Sequence, residues 1–253
     1  MINFFRRIRK KLADDNPPSW RAGKPLKYMR YAIGEIVLVV FGILIALSIN
    51  NWNEERKDRN KEKVILVNLL SDLITNKVLI KEGFNDYDKK ISLSYKMANL
   101  FGQNLNKENI ADFDSILNWS AEYTSIELIK TSIITLGTSD RLELLQNEML
   151  KQQIVRYPTY IALYKEREDL VRSIVINEMR PNIEKHISIQ NFLGIQESFK
   201  SDYSELLNSR QISNNYVNRL FQTNDAVRRL ERLKTANDSL ISTTSIELED
   251  RFN

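Results

Sequence analysis

The longest apolar run in the chain covers residues 36–49, which read IVLVVFGILIALSI without a charge. These fourteen residues are fewer than the ~20 that an α-helix needs to cross a bilayer core. The flanks extend the run, since Glu35 is the one charged residue over 31–50. Tyr31 and Trp52 lie at the margins, where aromatic side chains are typical of the membrane interface. The pattern predicts a transmembrane helix over residues 31–50.

Two other structures are compatible with such a run. A buried core helix of a soluble domain has the same composition. A cleavable signal peptide is the second, because Ala46-Leu47-Ser48 has the small-x-small form of a cleavage site. The preceding basic region is long and contains Pro17, Pro18 and Pro25, unlike an ordinary signal-peptide start. We therefore expect an uncleaved anchor.

Helical periodicity continues beyond the apolar run. Leu66, Leu70, Leu73 and Ile80 recur at steps of three, four and seven residues, which is typical of one helix face. We expect a helical stalk over residues 51–83 that ends at Gly83, with these four side chains on a seam that could extend a pair of membrane helices.

The remainder, residues 84–253, predicts a helical bundle domain. Helical patterns cover residues 87–101, 110–119, 124–136, 140–178, 196–208 and 211–249. Seven Gly and five Pro are few for this length and argue against barrels and sandwiches. Pro158 should kink or split its helix, Pro181 should mark a helix end, and Ser139 is a candidate N-cap. The expected fold class is all-α: one transmembrane helix continuing into a helical stalk and an extramembrane α-helical bundle.

Charge is distributed unevenly. Residues 1–30 carry nine Lys and Arg against two acids, whereas the rest of the chain is slightly acidic. The flanks of the apolar run are equally basic, but the additional cluster over residues 6–10 favours a cytoplasmic N-terminus. We expect an inner-membrane, single-pass protein with a periplasmic C-terminal domain and a basic tail that contacts anionic headgroups. Residues 2–12 form either an amphipathic helix or a disordered tail, and no nucleic-acid partner is expected.

Residues suited to catalysis are scarce. Cysteine is absent, which excludes thiolate chemistry, and His186 is the one histidine, so a His-based metal site or catalytic triad is excluded or rests on this one residue. No glycine-rich phosphate loop occurs. Carboxylate pairs such as Glu166/Asp169 lie on charged helical faces, where a solvated surface is the ordinary interpretation. We predict no catalytic, cofactor-binding or metal site.

Two groups of residues are candidates for association. Arg156, Tyr157, Tyr160 and Tyr164 combine residue types that are common at protein interfaces, although the tyrosines at i, i+3 and i+7 equally fit a packed face. Gly34, Leu38, Gly42 and Ala46 lie along one side of the membrane helix and contain a small-xxx-small pair. They predict a homodimer, although Gly and Ala are common in membrane helices.

Several segments resemble one known family. They read FFRRIR at 4–9, YAIGEIVLVV at 31–40, GILIAL at 42–47, NNWNE at 50–54, and Leu142-x-x-Leu145-x-Asn147-x-x-Leu150 followed by Tyr157. They are similar to an uncharacterised family of single-pass membrane proteins, found mainly in Bacteroidota and catalogued as domain of unknown function 6090. The resemblance implies an inner-membrane anchor and an external helical domain, and it supplies no activity.

Two functions are compatible with these features. The first is a membrane-anchored helical binding or interaction module of the cell envelope, whose partners are the bilayer, a second copy and an unidentified envelope protein. The second is a periplasmic enzyme that works through carboxylates. A pocket holding two buried carboxylates would favour the enzyme, and a solid core would favour the binding module.

Overall fold

The computed structural model describes residues 25–103, 105, 107–138, 140–190, 195 and 199–252. These residues form helices and no strand, which confirms the all-α prediction. The α-helices among them are α1 (Pro25–Ala98), α2 (Phe113–Ser120), α3 (Thr131–Gly137), α4 (Glu148–Ile174), α5 (Arg180–Glu184), α6 (Tyr203–Asn208) and α7 (Arg210–Phe252). Ser139 and the amphipathic segment over 2–12 lie outside the described residues. The chain divides into two compact units, Met1–Lys57 and Asp58–Asn253.

The first unit contains the N-terminal part of α1. Pro25 is its first residue. The N–H at the first position of a helix has no acceptor within the helix, so a proline there loses no hydrogen bond. Large apolar side chains from Ile33 to Ile49 are 42 to 63% exposed, on every side of the helix. None of the apolar window is buried, unlike the core helix of a soluble protein.

The second unit is a bundle of three long helices. Glu62, Leu73 and Ser94 of α1 contact Arg251, Asn237 and Arg219 of α7 respectively, so these two helices are antiparallel. In contrast, α1 and α4 are parallel, because Glu62 accepts a hydrogen bond from the Gln146 N–H and Tyr87 contacts Tyr164. The parallel pair requires the chain to return along the bundle between α1 and α4.

Residues 121–130 form no helix or strand and make most of this return. We call them the extended segment, because Tyr123 bonds Lys90 and Ile129 bonds Asn76, so six residues cover roughly 20 Å of α1. Asn76 of α1 bonds both backbone groups of Ile129, each at 2.8 Å. The Ile126 N–H donates to the Glu168 carboxylate at 3.0 Å. Because side chains satisfy this backbone, the segment needs neither a helix nor a neighbouring strand. The helix predicted over 124–136 is therefore wrong in its first half and begins at Thr131.

The residues assigned to a stalk lie largely within the bundle. Leu66, Leu73 and Ile80 are buried in its core and Leu70 is partly buried, so this seam packs inside one chain. The second unit begins at Asp58, and α1 ends at Ala98 rather than near Gly83. The predicted boundary at residue 83 therefore falls inside a helix.

Both prolines lie inside continuous helical segments. α4 runs through Pro158 from Glu148 to Ile174, so the predicted split is wrong, and the alternative, a kink, stays a prediction. Pro181 ends no helix either, because the chain passes through a π-helix, Val175–Met179, directly into α5. A proline cannot donate to the carbonyl four residues earlier, and the wider π turn accommodates that missing bond.

Candidate functional site

Buried ionisable groups are where catalysis would be expected, and three sets of them lie in the bundle. The first centres on Glu168 of α4, whose side chain is almost fully buried. Its carboxylate accepts from the Ile126 N–H at 3.0 Å, from Ser125 Oγ at 3.1 Å and from Lys165 Nζ at 2.6 Å. The Tyr164 hydroxyl donates a further bond at 2.6 Å. These contacts fasten the extended segment to α4.

Tyr164 is held in its neutral form by this environment. Burial, reinforced by the adjacent Tyr87 hydroxyl at 3.2 Å and by Glu168, raises the pKa of Tyr164 well above its ordinary range. Burial likewise raises the pKa of Tyr87. Neither phenol can act as a base near neutral pH, because a general base needs a pKa close to the working pH.

The second set is formed by Arg219, which is almost fully buried on α7. Its guanidinium donates to Ser94 Oγ, to the Ser120 carbonyl at 2.8 Å and to the Glu122 carbonyl. Burial lowers the pKa of Arg219. The side chain caps the end of α2 and fixes the start of the extended segment, which is a structural role.

The third set joins the three long helices at one end of the bundle. Arg251 of α7 donates two hydrogen bonds to Glu62 of α1, at 2.7 and 2.9 Å, and one to Glu247 at 2.6 Å. Asn147 caps α4 by accepting from the Leu150 N–H and also donates to Glu247 at 2.9 Å. Both carboxylates are therefore paired with a cation.

The carboxylates of these sets are all held by cations. Glu62 and Glu247 share Arg251. Glu168 pairs with Lys165 and lies roughly 35 Å from Glu62 along the bundle, judged from the rise of α1 between Glu62 and Tyr87. Among the described residues, no cluster of three His, Asp or Glu side chains could hold a metal ion. His186 Nδ1 lies 3.3 Å from the Glu205 carboxylate in a partly buried position outside these sets. In the part of the chain that the structure describes, the buried carboxylates bond to groups that hold the helices and the extended segment together.

A surface groove between α4 and α7 is a candidate binding site in the part of the chain that the structure describes. Its open volume is about 450 Å³, and it is lined by Gln153, Arg156, Tyr160, Arg232, Thr235, Ala236 and Ser239. Arg156 and Arg232 are exposed and form no ion pair within the part of the chain that the structure describes. Gln153 donates to Ser239 at 2.9 Å, while its amide oxygen is buried without a hydrogen-bond partner. The groove thus offers two unpaired cations and several polar groups.

The predicted interaction surface is divided by the fold. Tyr157 and Tyr164 are fully buried in the core, where Tyr157 donates to Asn237 at 2.8 Å and burial raises its pKa to about 12. These two positions, i and i+7, therefore lie on the packed face of α4 and not on a surface. Arg156 is exposed, Tyr160 is partly buried against the core, and both line the groove.

The α7 side of the groove was not found from the sequence. Arg232, Thr235 and Ser239 recur at steps of three and four, which places them on one helix face, but nothing local indicates that this face meets Arg156.

The residues proposed for a membrane-helix interface lie on open helix surface. Leu38 and Ala46 are exposed, and a Cβ added at Gly34 or Gly42 would have no atom within 4 Å. This geometry permits a second helix to approach closely.

Comparison with known proteins places the chain in a family. A model described as "Family of unknown function (DUF6090)" matches residues 35–166, slightly more than half of the chain. The chain belongs to the DUF6090 family. No curated protein and no solved structure matches it.

The DUF6090 match covers parts of both compact units. It begins at Glu35 in the apolar part of α1, includes the extended segment, and ends at Glu166 in α4. One helix of this DUF6090 protein, near the N-terminus, is long and apolar enough to cross a membrane. The match therefore includes both that helix and Arg156, and it does not include Arg232.

Proposed function

We propose that this DUF6090 protein is a membrane-anchored helical binding module of the cell envelope. The apolar part of α1 anchors it in the inner membrane as a single span, with the basic tail on the cytoplasmic side and the bundle in the periplasm. A run of large, exposed apolar side chains on every side of a helix is unfavourable in water and favourable in lipid, which supports the anchor.

The binding role is supported by two arginines at the groove that form no ion pair among the described residues. Arg156 and Arg232 come from different helices and lie beside Tyr160 and two hydroxyl side chains. Guanidinium groups match carboxylates in geometry and form strong, charge-assisted hydrogen bonds with them. We infer that the groove binds an acidic segment of another envelope protein.

Differential capture tests this role. The full-length protein is purified from solubilised membranes as wild type, as Arg156→Glu/Arg232→Glu, and as the control Arg228→Glu, and stoichiometric partners are quantified by mass spectrometry. Arg228 is a matched control because it is exposed on α7, one turn from Arg232, and makes only a surface ion pair to Asp225.

The expected result is a partner retained by the wild type and the control and reduced at least tenfold with the double variant. Two charged hydrogen bonds worth roughly 2 kcal/mol each are sufficient for such a loss. Equal recovery of the same partners by all three proteins would remove the groove as the binding site.

A further inference from the structure

The exposed side of α1 in the bundle carries a second apolar stripe. Val64, Val67, Ile74 and Val78 are 48 to 60% exposed, and Ser71 lies between them. Their steps of three, four, three and four residues follow a heptad repeat over about 21 Å of helix. Such a repeat is the pattern by which one helix packs against another.

This stripe is separate from the side of α1 that packs into the core. At 100° per residue, Leu66, Leu69, Leu73 and Ile80 lie on the opposite side of the helix, and all four are buried. A surface helix normally has one apolar stripe, directed to the core. α1 therefore has an apolar face that its own bundle leaves uncovered.

We propose that this stripe is where a second copy of the chain binds, α1 against α1, as a short parallel coiled coil. The proposal rests on the membrane anchor proposed above, because anchored copies share one orientation and meet in parallel. In a parallel pair each heptad position meets its own equivalent, so valine contacts valine and isoleucine contacts isoleucine.

The flanking charges fit the same arrangement. With Val64 at position a, Lys77 falls at g and Glu82 at the following e position. A g residue on one helix faces the next e residue on its parallel partner, so Lys77 can reach Glu82 of a second copy. Both side chains are exposed, and Lys77 also lies 3.2 Å from Asp238 in its own chain.

The size of the stripe explains why the anchor is needed. Four half-exposed aliphatic side chains offer roughly 300 Å² per copy, or about 600 Å² per pair, half the ~1,200 Å² at the lower end of stable interfaces. Confinement to a bilayer raises the effective concentration of copies, so a contact too weak in solution can form there.

Cysteine cross-linking in native membranes tests the pairing directly, because the chain has no cysteine of its own. Val67→Cys places a thiol at a d position of the stripe. Val155→Cys is the matched control, since Val155 is a similarly exposed valine on α4. Mild oxidation should convert Val67→Cys to a covalent dimer at least tenfold faster than Val155→Cys, and adding Ile74→Lys should slow that conversion by a similar factor.

The outcomes separate this inference from the function on which it rests. If the protein is washed from the membrane by alkaline carbonate, the anchor fails. If it remains in the membrane but both cysteines cross-link at one rate, or Ile74→Lys has no effect, self-association through the stripe is wrong. A cross-linked product with the mass of a different protein would show that the stripe binds another partner, and would also overturn the proposal.

Discussion

Gly83 shows how a single residue connects α1 to the extended segment. It lies in the middle of α1, where glycine costs about 1 kcal/mol relative to alanine. An added Cβ would overlap Cδ1 of Ile126 and lie 2.9 Å from its Cγ1. The missing side chain is what allows residues 121–130 to pack directly on the helix.

Gly83→Ala should therefore destabilise the bundle despite the better helix propensity of alanine. Displacing Ile126 from the core should outweigh the gain in propensity and leave a net loss of about 1 kcal/mol or more. Gly137→Ala is the control, because that site at the end of α3 is open and should change stability by less than about 0.5 kcal/mol. Urea unfolding of the full-length protein in detergent measures both, and a stabilised Gly83→Ala would contradict the packing described here.

The sequence alone could not separate the two roles of this glycine. Glycine is common both at helix ends and at close backbone contacts, and near Gly83 the first role is the simpler interpretation. The deciding residue, Ile126, lies far along the chain. Tyr157 poses the same problem, since only the packing shows that its face of α4 is inside.

Among the helices, the network around Arg251 joins the start of α4 and the end of α7 to Glu62, which lies inside α1. Burial alone would raise the pKa of Glu247, but hydrogen bonds from Arg251 and Asn147 outweigh it and hold the pKa below its ordinary value. A carboxyl whose pKa is lowered by folding stabilises the native state above its unfolded pKa, about 4.3. That contribution is lost as the pH falls through the lower, folded pKa.

Glu247→Gln should accordingly show a pH-dependent loss of stability. At pH 7 we expect the variant to be less stable than the wild type by about 1 kcal/mol, and this difference should shrink as the pH falls below about 4. Glu249→Gln is the control, because Glu249 is exposed on the same helix. Urea midpoints at several pH values measure the effect, and a difference that stays constant with pH would show that the ion pair does not contribute.

The extended segment is the element where the sequence pattern predicted a helix and the structure has none. Thr124, Ile126 and Leu128 are buried while Ser125 and Glu127 are exposed, which is the alternation of an extended chain. That signal is present in the sequence, but it is short and has no neighbouring strand to support it. Asn76, Glu168 and Arg219 supply its hydrogen bonds, and these partners cannot be identified before the fold is known.

At the scale of the whole molecule, composition and periodicity were sufficient to predict the helical class and the long apolar helix near the N-terminus. Both depend on local patterns, which a sequence displays directly. The parallel arrangement of α1 and α4, and the groove between α4 and α7, depend on contacts between distant residues. For the same reason the sequence placed the start of the bundle at residue 84, whereas the second unit begins at Asp58.

Labelling of single cysteines with a membrane-impermeant maleimide tests whether one span anchors a periplasmic bundle. Asp88→Cys lies on an exposed side of α1 in the bundle, and Ser19→Cys lies in the basic tail. In intact spheroplasts, Asp88→Cys should be labelled at once, whereas Ser19→Cys should be labelled only after lysis. This topology would be contradicted if Ser19→Cys were labelled before lysis or if Asp88→Cys were protected. Release of the protein from the membrane would contradict the anchor.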